Sequence, residues 1–136
     1  MYLIYQPEGS DEPKRWKYNP RKIMSAEREA IERLTSRNWS EFVQDVIKGS
    51  SLCRRALLWV YLKREHPTTK FDDVDFAWDE LTLEYSKAEL IQLREVAAEA
   101  ASGDQRVAVL AKFDEQIAEA YDDPDDAGKA QLPVVD

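Results

Sequence analysis

Enzymatic chemistry needs nucleophiles, bases or metal ligands gathered in one place, and this chain offers few of them. His66 is the only histidine and Cys53 the only cysteine. A Ser-His-Asp or Cys-His arrangement would have to run through His66, which stands in Glu65-His66-Pro67, a sequence that reads as a helix end. A lone cysteine excludes an internal disulfide and a cysteine-based zinc site, and it fits a reducing cytoplasm. Gly9, Gly49, Gly103 and Gly128 all stand at apparent breaks, so none is left to cradle a phosphate. No G-x-G-x-x-G, P-loop or H-E-x-x-H occurs. The residues thus point to no catalytic group, no metal and no cofactor.

Two charged stretches invite a closer reading. Asp72-Asp73-Val74-Asp75-Phe76-Ala77-Trp78-Asp79-Glu80 has the acidity of a calcium loop. An EF-hand needs glycine at its sixth position and glutamate at its twelfth. Counted from Asp73 these are Trp78 and Glu84, so the tight turn fails and a pinned acidic loop is the better account. The second stretch, Lys14-Arg15-Trp16-Lys17-Tyr18-Asn19-Pro20-Arg21-Lys22, interleaves basic and aromatic residues, as single-stranded nucleic-acid sites do. One short stretch gives few phosphate contacts, and the chain is acidic overall, which argues against a nucleic-acid partner. In a hairpin, Trp16 and Tyr18 would share a face toward the core while Arg15 and Lys17 point to water.

The elements that must carry these residues follow from composition and periodicity. With 136 residues, 43% hydrophobic and 34% charged, the chain fits one domain with a heavily charged surface and at most a small appendage. No apolar run approaches the roughly 20 residues needed to span a bilayer, and the opening Met1–Pro7 lacks the basic and apolar regions of a signal peptide. The net charge of −8 is unevenly spread. Residues 1–70 carry 14 Lys/Arg against 9 Asp/Glu, and residues 71–136 carry 5 against 18.

Tyr2–Tyr5 and the alternating Lys14–Tyr18 flank a turn-forming Pro7–Pro13 cluster and predict a β-hairpin. Helices are expected over Ala26–Thr35 behind a Ser25 cap, over Ser40–Lys48 closed by Gly49, and over Leu52–Glu65. The third contains Ala56-Leu57-Leu58-Trp59-Val60-Tyr61-Leu62, apolar all round, and is the expected core helix. Arg54 and Arg55 stand near its positive end and call for acidic partners. Thr68–Tyr85 reads as a loop with short extended pieces. Lys87–Ala101 behind Ser86, and Gln105–Tyr121 with Val107, Leu110, Phe113 or Asp114, and Ile117 in line, form a helical hairpin. Residues 122–136 read as a disordered acidic tail. The fold class is therefore mainly α, about five helices with an N-terminal β-hairpin: 1–85 hairpin plus helical core, 86–121 helical hairpin, 122–136 tail. The expected structural core is Ile31, Leu34, Trp39, Phe42, Leu57, Leu58, Trp59 and Val60.

Several segments occur in a fixed order: Ala30–Thr35, Trp39 with Phe42, Gly49-Ser50, Ala56–Val60, Arg64-Glu65-His66-Pro67 and Phe71-Asp72-Asp73-Val74. Together, over roughly residues 14–85, they resemble the tail assembly chaperones of long-tailed phages infecting actinobacteria. Members of that family often carry glycine after the Thr of the first segment, where this chain has Ser36. The resemblance implies a non-structural, non-enzymatic protein of the host cytoplasm, absent from the mature virion. Such a protein coats the tape measure protein and helps recruit tail tube subunits. It also implies that many members have a longer product made by a programmed frameshift, and Gly128-Lys129 is the dipeptide a G-GGA-AAA slippery heptamer would encode.

A tape measure protein is a long amphipathic helix, so its partner needs apolar grooves with charged rims. The residues expected to bind it are Phe71, Asp72, Asp73, Asp75 and Trp78 in the acidic stretch, with Leu90, Leu93, Leu110 and Ile117 on the helical hairpin. A homo-oligomer is compatible with this. The main rival is a structural virion component such as a head-tail connector or minor tail protein. A small DNA-binding regulator and an enzyme of unknown type fit the charge and the motifs less well.

Overall fold

An apolar helix must be wrapped, and the chain wraps α3 (Ser51–Glu65) with everything that precedes it and a little that follows. In the computed structural model, which describes residues 1–126, residues 2–83 form one compact unit. Met1 with the described residues from 84 to 126 forms a second. The fold is mainly α, with five α-helices and a three-stranded antiparallel sheet among the described residues.

In the first unit, β1 (Tyr2–Tyr5) pairs antiparallel with β2 (Lys14–Lys17), placing Leu3 opposite Trp16 and Ile4 opposite Arg15. The sheet is wider than the expected hairpin. A third strand, β3 (Leu81–Glu84), lies on the other side of β1, giving the order β2-β1-β3. Its lead-in is fixed by the Gln6 amide donating to the Glu80 carbonyl at 2.9 Å. The segment Leu81-Thr82-Leu83 alternates inside and outside as a half-covered strand should, with Leu81 buried and Thr82 exposed. Four residues were too short a run to separate from the surrounding loop by pattern alone.

α1 (Ser25–Thr35) begins one residue earlier than Ser25 capping would require: Met24 is the N-cap and its amide is held by the Glu27 carboxylate at 3.1 Å. The helix ends on Ser36 in the left-handed region, φ 54°. α2 (Trp39–Lys48) starts on a capping box, Asn38 accepting from the Glu41 amide at 2.8 Å and Glu41 from the Asn38 amide at 3.3 Å. It stops at Gly49, φ 93°, where the Ser50 amide reaches back to the Asp45 carbonyl at 2.9 Å. Ser50 then caps α3 by accepting from the Cys53 amide at 3.2 Å. Two helices thus turn a corner in two residues.

Cys53 and Ala56–Tyr61 are all buried along α3. Of the expected core, Ile31, Phe42, Leu57, Leu58, Trp59 and Val60 are buried, whereas Leu34 and Trp39 are only half-buried. Both stand at the ends of their helices, and Trp39 stacks on Phe42 with ring centroids 5.0 Å apart. The core also takes in Leu3, Tyr18, Ile23, Val43, Val46, Val74 and Leu81. Arg54 and Arg55 are met chiefly by backbone carbonyls and rings. Arg54 donates to the Val46 carbonyl at 2.8 Å, and Arg55 to the carbonyls of Val74 and Phe71, the latter at 3.0 Å. Each guanidinium also covers an aromatic ring, Trp78 at 5.2 Å and Phe71 at 4.1 Å. All four tryptophans, at 16, 39, 59 and 78, belong to this unit.

The second unit is thinner. Ser86 caps α4 (Lys87–Ala100) in a capping box with Glu89, which also meets the Met1 ammonium at 3.1 Å. α5 (Gly103–Glu119) runs back along it. Arg94 pairs with Asp114 at 2.9 Å and Arg106 donates to the Ala98 carbonyl at 3.1 Å, contacts that fix the antiparallel sense. Leu90 is the one buried side chain of α4, and α5 has none. Val107, expected in the apolar line of α5, is 70% exposed, while Leu110, Phe113 and Ile117 are half-buried. Asp114 is taken by Arg94, so Phe113 is the residue that turns inward. Beyond α5, Pro124–Asp126 makes a short turn within the stretch expected to be a disordered tail. The rest of that stretch, including Gly128-Lys129, lies outside the described residues.

Two stability outcomes follow. Trp59→Ala removes a buried ring whose indole N–H donates to the Thr69 carbonyl at 3.0 Å, and is expected to cost about 3–5 kcal/mol in urea unfolding. A cost near zero would mean that α3 is not central. Ser36→Gly relieves a left-handed non-glycine residue, and is expected to stabilise by about 1 kcal/mol in the same assay.

Candidate functional site

Two surfaces deserve comparison: the residues expected to bind a client, and the basic-aromatic stretch of the hairpin. The nine expected client residues divide between the units. Phe71, Asp72, Asp73, Asp75 and Trp78 fall on the first, and Leu90, Leu93, Leu110 and Ile117 on the second.

On the first unit, Phe71–Asp73 and Trp78–Glu80 each make one 3-10 turn. The Phe71 ring is half-buried, edge-on to Trp59 at 6.3 Å and covered by Arg55, so it anchors the stretch. Val74, the last residue of the Phe71-Asp72-Asp73-Val74 segment, is the buried anchor beside it. Asp72, Asp73 and Asp75 are exposed. Trp78 is 61% exposed, with its outer edge over the α2–α3 corner: a Cβ on Gly49 would lie 3.1 Å from its ring. Glu80 accepts from the amides of Ala77 and Glu8, both at 2.6 Å, and these two bonds hold its carboxyl below the usual range. Backbone contacts thus hold this stretch in place while Asp72, Asp73 and Asp75 are exposed.

On the second unit, Leu90 is 6% exposed and so unavailable to a client, while Leu93, Leu110 and Ile117 are half-buried. The exposed apolar residues here are Ile91, Val96 and Val107. Ile91 and Val96 are five residues apart, which puts them on different faces of α4, so they form no single apolar stripe.

The basic-aromatic stretch is built differently. Trp16 on β2 stacks on Tyr61 of α3, ring centroids 5.5 Å apart and 18° from parallel. Its indole N–H donates to Glu65 at 2.8 Å, and Lys14 reaches the same carboxylate at 2.7 Å. Tyr18 is buried and Arg15 lies over the Tyr2 ring at 4.4 Å. Around this pair, Arg15, Trp16, Lys17, Tyr61, Arg64 and Glu65 line a hollow of about 400 Å³. A second groove of about 230 Å³ lies between α1 and α3, with Ala26, Ala30, Trp59 and Val60 along it and Glu27, Lys63 and Arg64 at its edges. The two meet at Arg64, which holds Glu27 through two hydrogen bonds of 2.8 and 2.7 Å and covers the Tyr61 ring at 5.0 Å. Sequence alone gave the β2 half of this surface. The α3 half comes from Tyr61, which read as part of the apolar run, and from Lys63, Arg64 and Glu65, whose place beside β2 has no sequence signature.

The electrostatics follow from these bonds. Arg64 holds the Glu27 carboxyl below the usual range and is itself raised by Glu27. Lys14 and then Trp16 do the same to Glu65. Burial pushes the Tyr61 hydroxyl up to about 12, so it stays protonated and donates to the Lys17 carbonyl at 3.1 Å. Among the described residues, no group of three His, Cys, Asp or Glu could hold a metal ion.

A carboxylate with a lowered folded pKa stabilises the fold above its unfolded pKa, and that contribution is lost as pH falls through the folded value. Both contributions, those of Glu27 and Glu65, are therefore present at neutral pH and fade as the pH drops below the ordinary carboxylate range. Glu27→Gln is expected to flatten the acid limb of stability against pH in chemical denaturation, and an unchanged limb would show that the Arg64 pair contributes nothing. No protein-family model, no curated protein and no solved structure matches this chain.

Proposed function

We propose that this chain is a tail assembly chaperone of a long-tailed phage of actinobacteria: a non-enzymatic protein that binds the tape measure protein and helps assemble the tail tube around it. It works in the host cytoplasm and is left out of the finished particle. The observation that carries this reading is the ordered set of segments that resembles that family. All of them fall within the unit of residues 2–83. Ala30–Thr35 makes most of α1, Trp39 and Phe42 open α2, and Gly49-Ser50 is the corner. Ala56–Val60 is the core of α3, and Phe71–Val74 is the turn gripped by Arg55. Five of the six segments thus fall in the elements that pack around α3, and Arg64–Pro67 is the exposed end of that helix and the turn after it.

The chemistry is compatible with holding a helix. An amphipathic client offers apolar side chains on one face and charges on its flanks, and a chaperone needs an apolar groove with a charged edge, not a reactive centre. The groove between α1 and α3 has that character.

The test is co-expression of the chain with the tape measure protein of the same genome, together with mass spectrometry of purified particles. The expected result is a tape measure protein that stays soluble and co-elutes with the chain, and particles that lack the chain. Stoichiometric amounts of the chain in mature particles would instead establish a structural virion component such as a connector or minor tail protein.

A further inference from the structure

We propose that one side of the α4–α5 pair is a docking face for an amphipathic helix with lysine or arginine on its flanks. The pair is short of cover: α4 buries only Leu90, and α5 buries no side chain. Ile91 is 46% exposed and Val107 70%. Helical spacing joins each of them to a stripe. On α4, Ile91, Arg94 and Ala98 stand at i, i+3 and i+7. On α5, Val107, Ala111, Asp114 and Ala118 stand at i, i+4, i+7 and i+11. Arg94 and Asp114 meet at 2.9 Å, so the two stripes face the same side of the pair. Val96, two positions on from Arg94, turns to the opposite side. Ala111 and Ala118 are exposed and Ala98 is half-buried. Either side of the Arg94–Asp114 pair the face is thus a shallow apolar strip, and its alanines let a third helix come close.

The charges select the occupant. Residues 84–126 carry 12 Asp/Glu against 4 Lys/Arg, whereas residues 2–83 carry 14 of each, so the second unit accounts for the chain's net charge of −8. At the edges of the strip, Glu95 follows Ile91 by four residues, Glu115 follows Ala111 by four, and Asp104 precedes Val107 by three. All three are exposed, and among the described residues their side chains make no ion pair or hydrogen bond. Cations on a partner's flanks would therefore meet carboxylates that are not already taken, and opposite charge steers such a partner and sets its register. The same charge turns other occupants away: a second copy would bring another unit of the same sign, and a nucleic acid its phosphates. A basic amphipathic helix satisfies both the strip and its edges. This partner is defined by its chemistry, whatever protein supplies the helix, and so does not depend on the chaperone reading.

The test uses the full chain and two labelled synthetic helices with the same leucine face, one flanked by lysine and one by glutamate. By fluorescence anisotropy the lysine helix is expected to bind about ten-fold or more tightly than the glutamate helix, with an affinity that falls as salt rises. Glu95→Lys with Glu115→Lys is expected to abolish that preference. Glu29→Lys with Glu32→Lys on α1, the same change of net charge on the other unit, is expected to leave it intact. Val107→Arg is expected to weaken the lysine helix about ten-fold, and Val96→Arg, the same substitution on the opposite side of the pair, to leave its binding nearly unchanged. Should far-ultraviolet circular dichroism show that Glu95→Lys with Glu115→Lys loses helix, the comparison of the two arginine variants decides. Equal binding of the two helices, or a preference lost as readily on α1 as on the strip, would overturn the proposal. So would equal losses from Val107→Arg and Val96→Arg. A wild-type dimer that Val107→Arg dissociates would make a second copy the occupant and overturn it as well.

Discussion

Between Ala56 and Tyr61, α3 has no side that tolerates water, and this constraint organises the unit around it. Burying a run of large apolar side chains is worth about 1.5–3 kcal/mol for each, but only if every side is covered. α1 and α2 pack against α3. Val74 and Phe71 follow the helix back along its N-terminal half, held there by Arg55. Trp16 covers Tyr61 from β2. The guanidinium groups at both ends of α3 lie over rings and carbonyls, a use of arginine that lets the helix carry charge without exposing its apolar flanks.

Much of this was legible in the residues, and the omissions have physical causes. Gly49 and Ser50 mark the α2–α3 corner because only certain residues accept a left-handed turn or cap an amide, and such signals are local. The apolar run of α3 announced itself by lacking a period. Leu81–Glu84 did not read as a strand, because its pairing with β1 is a long-range event and four residues hold too little pattern. Ser25 looked like a cap by type, yet the helix starts one residue earlier, with Met24 as its N-cap and the Met24 amide held by the Glu27 carboxylate. Val107 stands on the exposed side of α5, because the strip that faces α4 is made by Leu110, Phe113 and Ile117 and a two-helix contact buries a narrow strip.

The surface at Arg64 was half visible for the same reason. β2 displays its cations and rings as an alternating run, a pattern that sequence reading detects. The partner half is assembled from the last turns of α3, where cations at a helix C-terminus are ordinary and suggest only favourable interaction with the dipole. Their convergence on Trp16 is a product of folding. On the acidic side, the carboxylates at 72, 73 and 75 were plain in the sequence, but the carbonyls of Phe71 and Val74 that Arg55 grips have no sequence signature.

The placement of the tryptophans governs what optical probes can see. Trp59 is in the core, Trp16 is stacked on Tyr61, Trp39 on Phe42, and Trp78 is largely in solvent. The helical pair after Glu84 has no indole at all. Tryptophan emission therefore arises only from residues 2–83, and its colour is a mixture of a sheltered and a wet fluorophore even in the native state. Loss of α4 and α5 would remove no tryptophan from that signal while removing two of the five described helices from the far-ultraviolet spectrum. A gap between the two readouts on heating would therefore measure how independently the thin second unit melts.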